Sequence, residues 1–124
     1  MKTYTIFCDI DGTLIPQLEK LEKLCDPESY ENFNEQIVSA RRKLLEWHDL
    51  GYKVILTTGR PEGWRHGTVN VLEKLGFIYD QLVMNCGNGP RVVINDITTE
   101  TGDKAFSLNI DRNRGIGDIN VQTL

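Results

Sequence analysis

Asp9 and Asp11 stand two residues apart in FCDIDGTL, directly after an apolar run, and this is the point in the chain where chemistry is most readily built. A carboxylate at the end of a buried strand is costly unless it is paired, hydrogen-bonded or bound to a cation. Two further polar clusters follow apolar runs in the same way. Thr57-Thr58-Gly59-Arg60 follows Val54-Ile55-Leu56, and Asn95-Asp96 follows Val92-Val93-Ile94. If these run ends share one rim, Asp9, Asp11 and Asp96 bring three carboxylates together, which would repel one another and any phosphate. A hard, oxygen-seeking cation such as Mg²⁺ answers both repulsions. One carboxylate can then attack phosphorus, and a second can protonate the leaving oxygen and later activate water. Thr58 offers a hydroxyl and Arg60 a bidentate fork for phosphate. Gly12 and Gly59 let backbone N–H groups come close to the phosphoryl oxygens.

The elements that must position these groups follow from hydrophobic period. Thr3 to Asp9 is rich in β-branched and aromatic residues and ends at the turn pair Asp11-Gly12. That predicts a buried strand, and its nearly continuous run suggests a parallel strand covered on both faces. Glu35 to Leu50 carries Ile37, Ala40, Leu44 and Leu45 on one stripe, predicting an amphipathic helix with Asn34 as N-cap and Gly51 as terminator. Tyr52 to Thr58 predicts a second strand, Thr68 to Leu75 a second helix ended by Gly76, and Tyr79 to Met84 a third strand. Arg91 to Asn95 predicts a fourth. Phe106, Leu108 and Ile110 alternate with polar residues, as on an edge strand, and the residues from Asp111 onward read as a loop or loose tail. Strands alternating with helices imply a Rossmann-like three-layer α/β sandwich with a mainly parallel sheet, in which ligands bind at the carboxyl ends of the strands.

Size and charge narrow the function classes. With 124 residues the chain is expected to form one domain, residues 1–124, with the residues from Pro16 to Asn34 as a short insert. No apolar run is long enough to cross a bilayer and no signal-peptide cleavage pattern is present, so a cytoplasmic protein without membrane contact is expected. A net charge of −4 disfavours general nucleic-acid binding but not a phosphate substrate. Cys8, Cys25 and Cys86, odd in number and without a C-x-x-C, are expected as reduced thiols, with Cys8 serving packing. His48 and His66 carry no motif; Asn85 to Pro90 reads equally as an anion nest or a connecting loop.

FCDIDGTL resembles the first motif, DxDGT, of the haloacid-dehalogenase-like superfamily, most of whose members are Mg²⁺-dependent phosphohydrolases. ILTTGR resembles the second motif and VVIND the fourth. The resemblance implies Asp9 as nucleophile, Asp11 as acid/base and Thr58 as the phosphoryl-binding hydroxyl. It implies Mg²⁺ on Asp9, the backbone carbonyl of Asp11, and Asp96. Two departures stand out. The third motif's Lys has no counterpart between Tyr79 and Arg91, leaving Arg91 or Arg60 as the cation, and Asn95 occupies the first place of the usual acidic pair. The insert is too short for a separate cap domain, so an open site or a homo-oligomer is expected. The leading expectation is a phosphomonoesterase for a small phosphorylated metabolite such as a sugar phosphate. The alternatives are a phosphatase for nucleic-acid ends and a non-catalytic phosphate or metal binder.

Overall fold

In the computed structural model, which describes residues 2–124, three parallel strands stand side by side in the order β1-β2-β3. β1 is Thr5–Asp9, β2 is Lys53–Thr57 and β3 is Gln81–Val83; the helices between them are α1, Asn34–Asp49, and α2, Arg65–Lys74. This is a small α/β unit of Rossmann-like type with its sheet wholly parallel, as the alternating pattern predicts. The register pairs Asp9 with Thr57 and Thr57 with Val83, so the three carboxyl ends finish level. In sheets of this type ligands bind at that rim.

Both helices end for the same local reason. Gly51 and Gly76 adopt φ of 81° and 79°, conformations that side chains other than glycine resist. After α1 the Gly51 N–H bonds to the His48 carbonyl and the Tyr52 N–H to that of Trp47; after α2, Gly76 bonds to Glu73 and Phe77 to Leu72. These are paired Schellman closures, and Trp47, Tyr52, Leu72 and Phe77 at their ends are all buried in the core. The N-terminus of α1 differs from expectation. Asn34 is its first residue rather than its cap, because a short 3-10 stretch, Pro27–Phe33, runs directly into it. The inward stripe is Ile37, Ala40, Leu44 and Trp47, while Leu45 lies out in solvent. Spacings of three and four residues keep those four on one line, which Leu45 leaves.

Cys8, Val54 and Leu56 bury their side chains beneath the helices with Ile10, Leu14 and Ile15 from the turn after β1. The opposite sheet face is only partly covered, so the expectation that β1 is covered on both faces is corrected: Phe7 is 59% exposed. Two predicted strands do not form. Residues 91–97 and 103–110 form no regular element and have no ladder partners, and Val92 and Ile94 are 82% and 90% exposed. A tight turn joins these arms, where Thr98 and Thr101 exchange hydrogen bonds and the Gly102 N–H meets the Thr98 carbonyl.

The expected loose tail is corrected in the other direction. Ile116 and Val121 return to the core, and the Tyr4 hydroxyl donates to the Leu124 carbonyl at 3.2 Å. The polar, glycine-bearing spacing of this tail shows no period, so its apolar residues are not legible as an element. No helix among the described residues is long and apolar enough to cross a membrane.

Candidate functional site

The chain leaves β1 at Asp9 and turns sharply. The N–H groups of Thr13, Leu14 and Ile15 all reach the Ile10 carbonyl, and the Gly12 N–H reaches that of Ile15 at 2.7 Å. Gly12 makes this turn at φ 83°, where a Cβ would be strained and would stand 3.2 Å from the Arg112 Cγ. The turn leaves Asp9 and Asp11 half-buried at the rim. Thr13 Oγ1 donates to Asp9 Oδ2 at 3.1 Å, so Oδ1 is the carboxylate oxygen without a hydrogen bond among the described residues.

Asp11 is held differently. Arg60 Nε donates to its Oδ2 and Nη2 to its Oδ1, both at 2.8 Å, a two-point fork. Arg60 is only 5% exposed. Its remaining donors are also used: Nη1 meets Thr68 Oγ1 at 3.0 Å and Cys25 Sγ at 3.9 Å, and Nη2 meets the Tyr30 hydroxyl at 3.3 Å. Burial works against the guanidinium charge, but the hydrogen bonds and charge of Asp11, with help from Tyr30, outweigh it and hold the Arg60 pKa above its ordinary range. Burial pushes the Tyr30 hydroxyl up, partly offset by Arg60. The expectation that Arg60 forks a phosphate is therefore corrected, because its fork is spent on Asp11.

Thr58 sits one residue past β2, fully buried, with Oγ1 accepting the Arg60 N–H at 3.0 Å. Gly59 lies against the following loop. A Cβ there would meet the Gly87 carbonyl oxygen at 2.7 Å, so its bareness serves close packing rather than open space for a ligand. The Asn85 N–H bonds to the Arg60 carbonyl and the Cys86 N–H to that of Thr58, so residues 85–88 are sewn onto the second motif. Those donors are thereby unavailable for an open anion nest.

Arg91 turns its Nη1 to the Gly89 carbonyl in an exposed loop and makes no hydrogen bond to either aspartate. Asp96 is 72% exposed at its side chain and ion-paired with Lys104 across the two arms. The structure thus does not bring together the expected metal set of Asp9, Asp11 and Asp96. Among the described residues no three His, Cys, Asp or Glu side chains form a group that could hold a metal ion. Asp96 lacks a strand to carry it to the rim, since Arg91 to Asn95 pairs with nothing. The residues as arranged do not fit a full Mg²⁺ cage; the Asp9 carboxylate and Asp11 carbonyl remain neighbours at the turn.

Three residues at this rim are not legible from motifs. Tyr30 comes from the insert; its one available signal is that it lies seven residues before Ile37, itself seven before Leu44. Thr68 lies on α2 without a motif. From the supposed tail, Asn113 accepts from the Gln17 N–H at 2.7 Å and donates its own N–H to the Gly12 carbonyl at 2.8 Å. This leaves the exposed Arg112 stem over Gly12. His48 and His66 take no part in these contacts. Burial, with the nearby Asp9 charge, pushes the Cys8 thiol up to about 12, as suits a packing residue.

Among curated proteins none is similar enough in sequence to match. A chain in the structure of the Pnkp1/Rnl/Hen1 complex aligns over 72% of this chain with 28% identity and a TM-score of 0.50; the match spans 30% of that longer protein. A crystal structure of a target protein from Vibrio cholerae aligns over 98% of this chain and 93% of its own, with 14% identity and a TM-score of 0.49. Residues 6–105 match the sequence profile of the haloacid dehalogenase-like hydrolases, a stretch that runs from β1 through both rim motifs and into the second arm. With its DxDGT turn and Thr-Gly-Arg strand end joined at one sheet rim, the chain belongs to the haloacid dehalogenase-like hydrolase family.

Proposed function

We propose that this hydrolase is a phosphomonoesterase that forms an aspartyl-phosphate on Asp9. The observation that carries the reading is the two-point contact of Arg60 with Asp11, which ties the first motif to the second at the level carboxyl ends of β1 and β2. Asp9 Oδ1 attacks phosphorus while Asp11, protonated at an oxygen lone pair that the Arg60 fork leaves open, gives that proton to the leaving oxygen. Water then attacks the aspartyl-phosphate and returns a proton to Asp11, freeing inorganic phosphate. Arg60 fixes the plane of the Asp11 carboxyl in both steps without touching the substrate. Thr58 and the Arg112 guanidinium, whose stem overhangs Gly12, are the groups assigned to the phosphoryl oxygens.

The family resemblance adds Mg²⁺, on Asp9, the Asp11 carbonyl and Asp96. Because Asp96 is engaged by Lys104, no step above runs through a metal. A small phosphorylated metabolite, such as a sugar phosphate, suits an acidic chain better than a nucleic-acid end. Three free cysteines are compatible with a reducing compartment such as the cytoplasm. A second reading, a phosphate binder without turnover, is favoured by the one acid that stands outside the rim.

The test is release of phosphate from 4-nitrophenyl phosphate and a panel of sugar phosphates, with Mg²⁺ and with chelator. Turnover abolished by Asp9→Asn supports the phosphatase. Binding of phosphate without turnover on any ester supports the second reading.

A further inference from the structure

Resting on the phosphatase reading, we propose that Tyr30 is a positioning residue for the acid/base group, and that the insert between β1 and α1 braces the site from within. Tyr30 is the buried residue of the insert's 3-10 stretch, Pro27–Phe33. The Tyr30 hydroxyl, on a side chain 1% exposed, donates to the Leu24 carbonyl at 3.0 Å and accepts from Arg60 Nη2 at 3.3 Å. Thr68 on α2 accepts from Nη1 on the other side. Arg60 is therefore gripped from two elements, and its front edge presents both Asp11 oxygens with hydrogen bonds of equal length.

A Phe at position 30 would fill the same apolar space without burying a hydroxyl. The hydroxyl's cost is offset only by what it bonds, and what it bonds is the back of the Arg60 fork and the insert's own Leu24 carbonyl. It thus fixes the insert to the arginine and, through the arginine, sets where the Asp11 carboxyl points. Proton transfer is sensitive to such placement, and a misplacement of an ångström is costly. Tyr30 touches no reacting atom; it acts through Arg60.

The separating experiment uses leaving groups. Nitrophenolate departs as a stable anion and needs little proton donation, whereas an alkyl alcohol needs the acid. Tyr30→Phe and Thr68→Val are compared with the unaltered protein on 4-nitrophenyl phosphate and on an alkyl phosphate, with thermal unfolding as a check that each variant folds. In Tyr30→Phe, kcat/KM is expected to fall about tenfold for the alkyl ester and to stay within about twofold for the nitrophenyl ester, with Thr68→Val following the same pattern more weakly. Equal losses on both esters, or no loss on either, would overturn the positioning role while leaving the phosphatase intact. An unaltered protein that hydrolyses neither ester would overturn the phosphatase reading, and the positioning role with it.

Discussion

β2 and the stretch from Arg91 to Asn95 are written in nearly the same letters, KVILT and RVVIN, yet one is the centre of the sheet and the other lies in water. β2 has β1 and β3 as ladder partners on either side and α1 packed against it. Arg91 to Asn95 has neither a neighbour nor a cover. Strand-forming residues favour a pleated, half-buried surface, and supply no partner by themselves. The functional consequence is direct. The acid that follows β1 is clamped by the arginine that follows β2, and the acid that follows the unpaired stretch, Asp96, is paired with Lys104 at the surface.

Breaking the clamp tests the first half of that contrast most severely. Arg60→Met leaves Asp11 without its counter-charge, and is expected to lower kcat/KM for an alkyl phosphate about a hundredfold and to cost about 3 kcal/mol in urea unfolding. Retained activity would remove Arg60 from the site. Next in size is the packing difference between the two similar runs. Leu56→Ala is expected to destabilise by about 3 kcal/mol and Ile94→Ala by less than about 0.5 kcal/mol, both read from the denaturation midpoint. Comparable losses would mean that residues 91–95 are packed in solution.

A pH series sharpens the core side further. The Cys8 pKa is raised from 9.0 to about 12 by burial and by Asp9, so its contribution to stability is intact below about pH 9 and is lost as pH rises toward about 12. Between those values the unaltered protein should lose up to about 1.4 kcal/mol per pH unit more than Cys8→Ala, measured as the slope of unfolding free energy against pH. Parallel slopes would contradict a buried thiol. The smallest effect is expected on the arm. Asp96→Asn should change Mg²⁺-stimulated turnover by less than about threefold, whereas a loss of about a hundredfold would show residues 91–97 joining the rim during catalysis and would end the contrast.

What was legible in the sequence is what depends on local pattern. The strands ending at Asp9 and Thr57, the glycine closures at Gly51 and Gly76, and the helix stripe through Ile37, Ala40 and Leu44 are all set by residues close together in the chain. The Asp9–Asp11 turn could be read for the same reason. Arg60 was read as a phosphate fork and its partner, Asp11, was missed, because whether a guanidinium faces substrate or a carboxylate depends on packing around it. Tyr30 and Thr68 have no short-range signature; they matter because α2 and the Pro27–Phe33 stretch pack together behind Arg60. The predicted strands at 91–95 and 106–110 failed because alternation states a preference and not a partner. Ile116 and Val121 were missed in the opposite way, as isolated apolar residues that reach the core without any period.

The account stands or falls on whether Asp9 carries the phosphoryl group. Rapidly quenched enzyme, treated with labelled borohydride during turnover of an aryl phosphate, can be digested and the modified peptide sequenced by mass spectrometry. The label is expected on Asp9, with none in Asp9→Asn. Continued phosphate release by the unaltered enzyme with label on another residue, or release undiminished in Asp9→Asn, would contradict it.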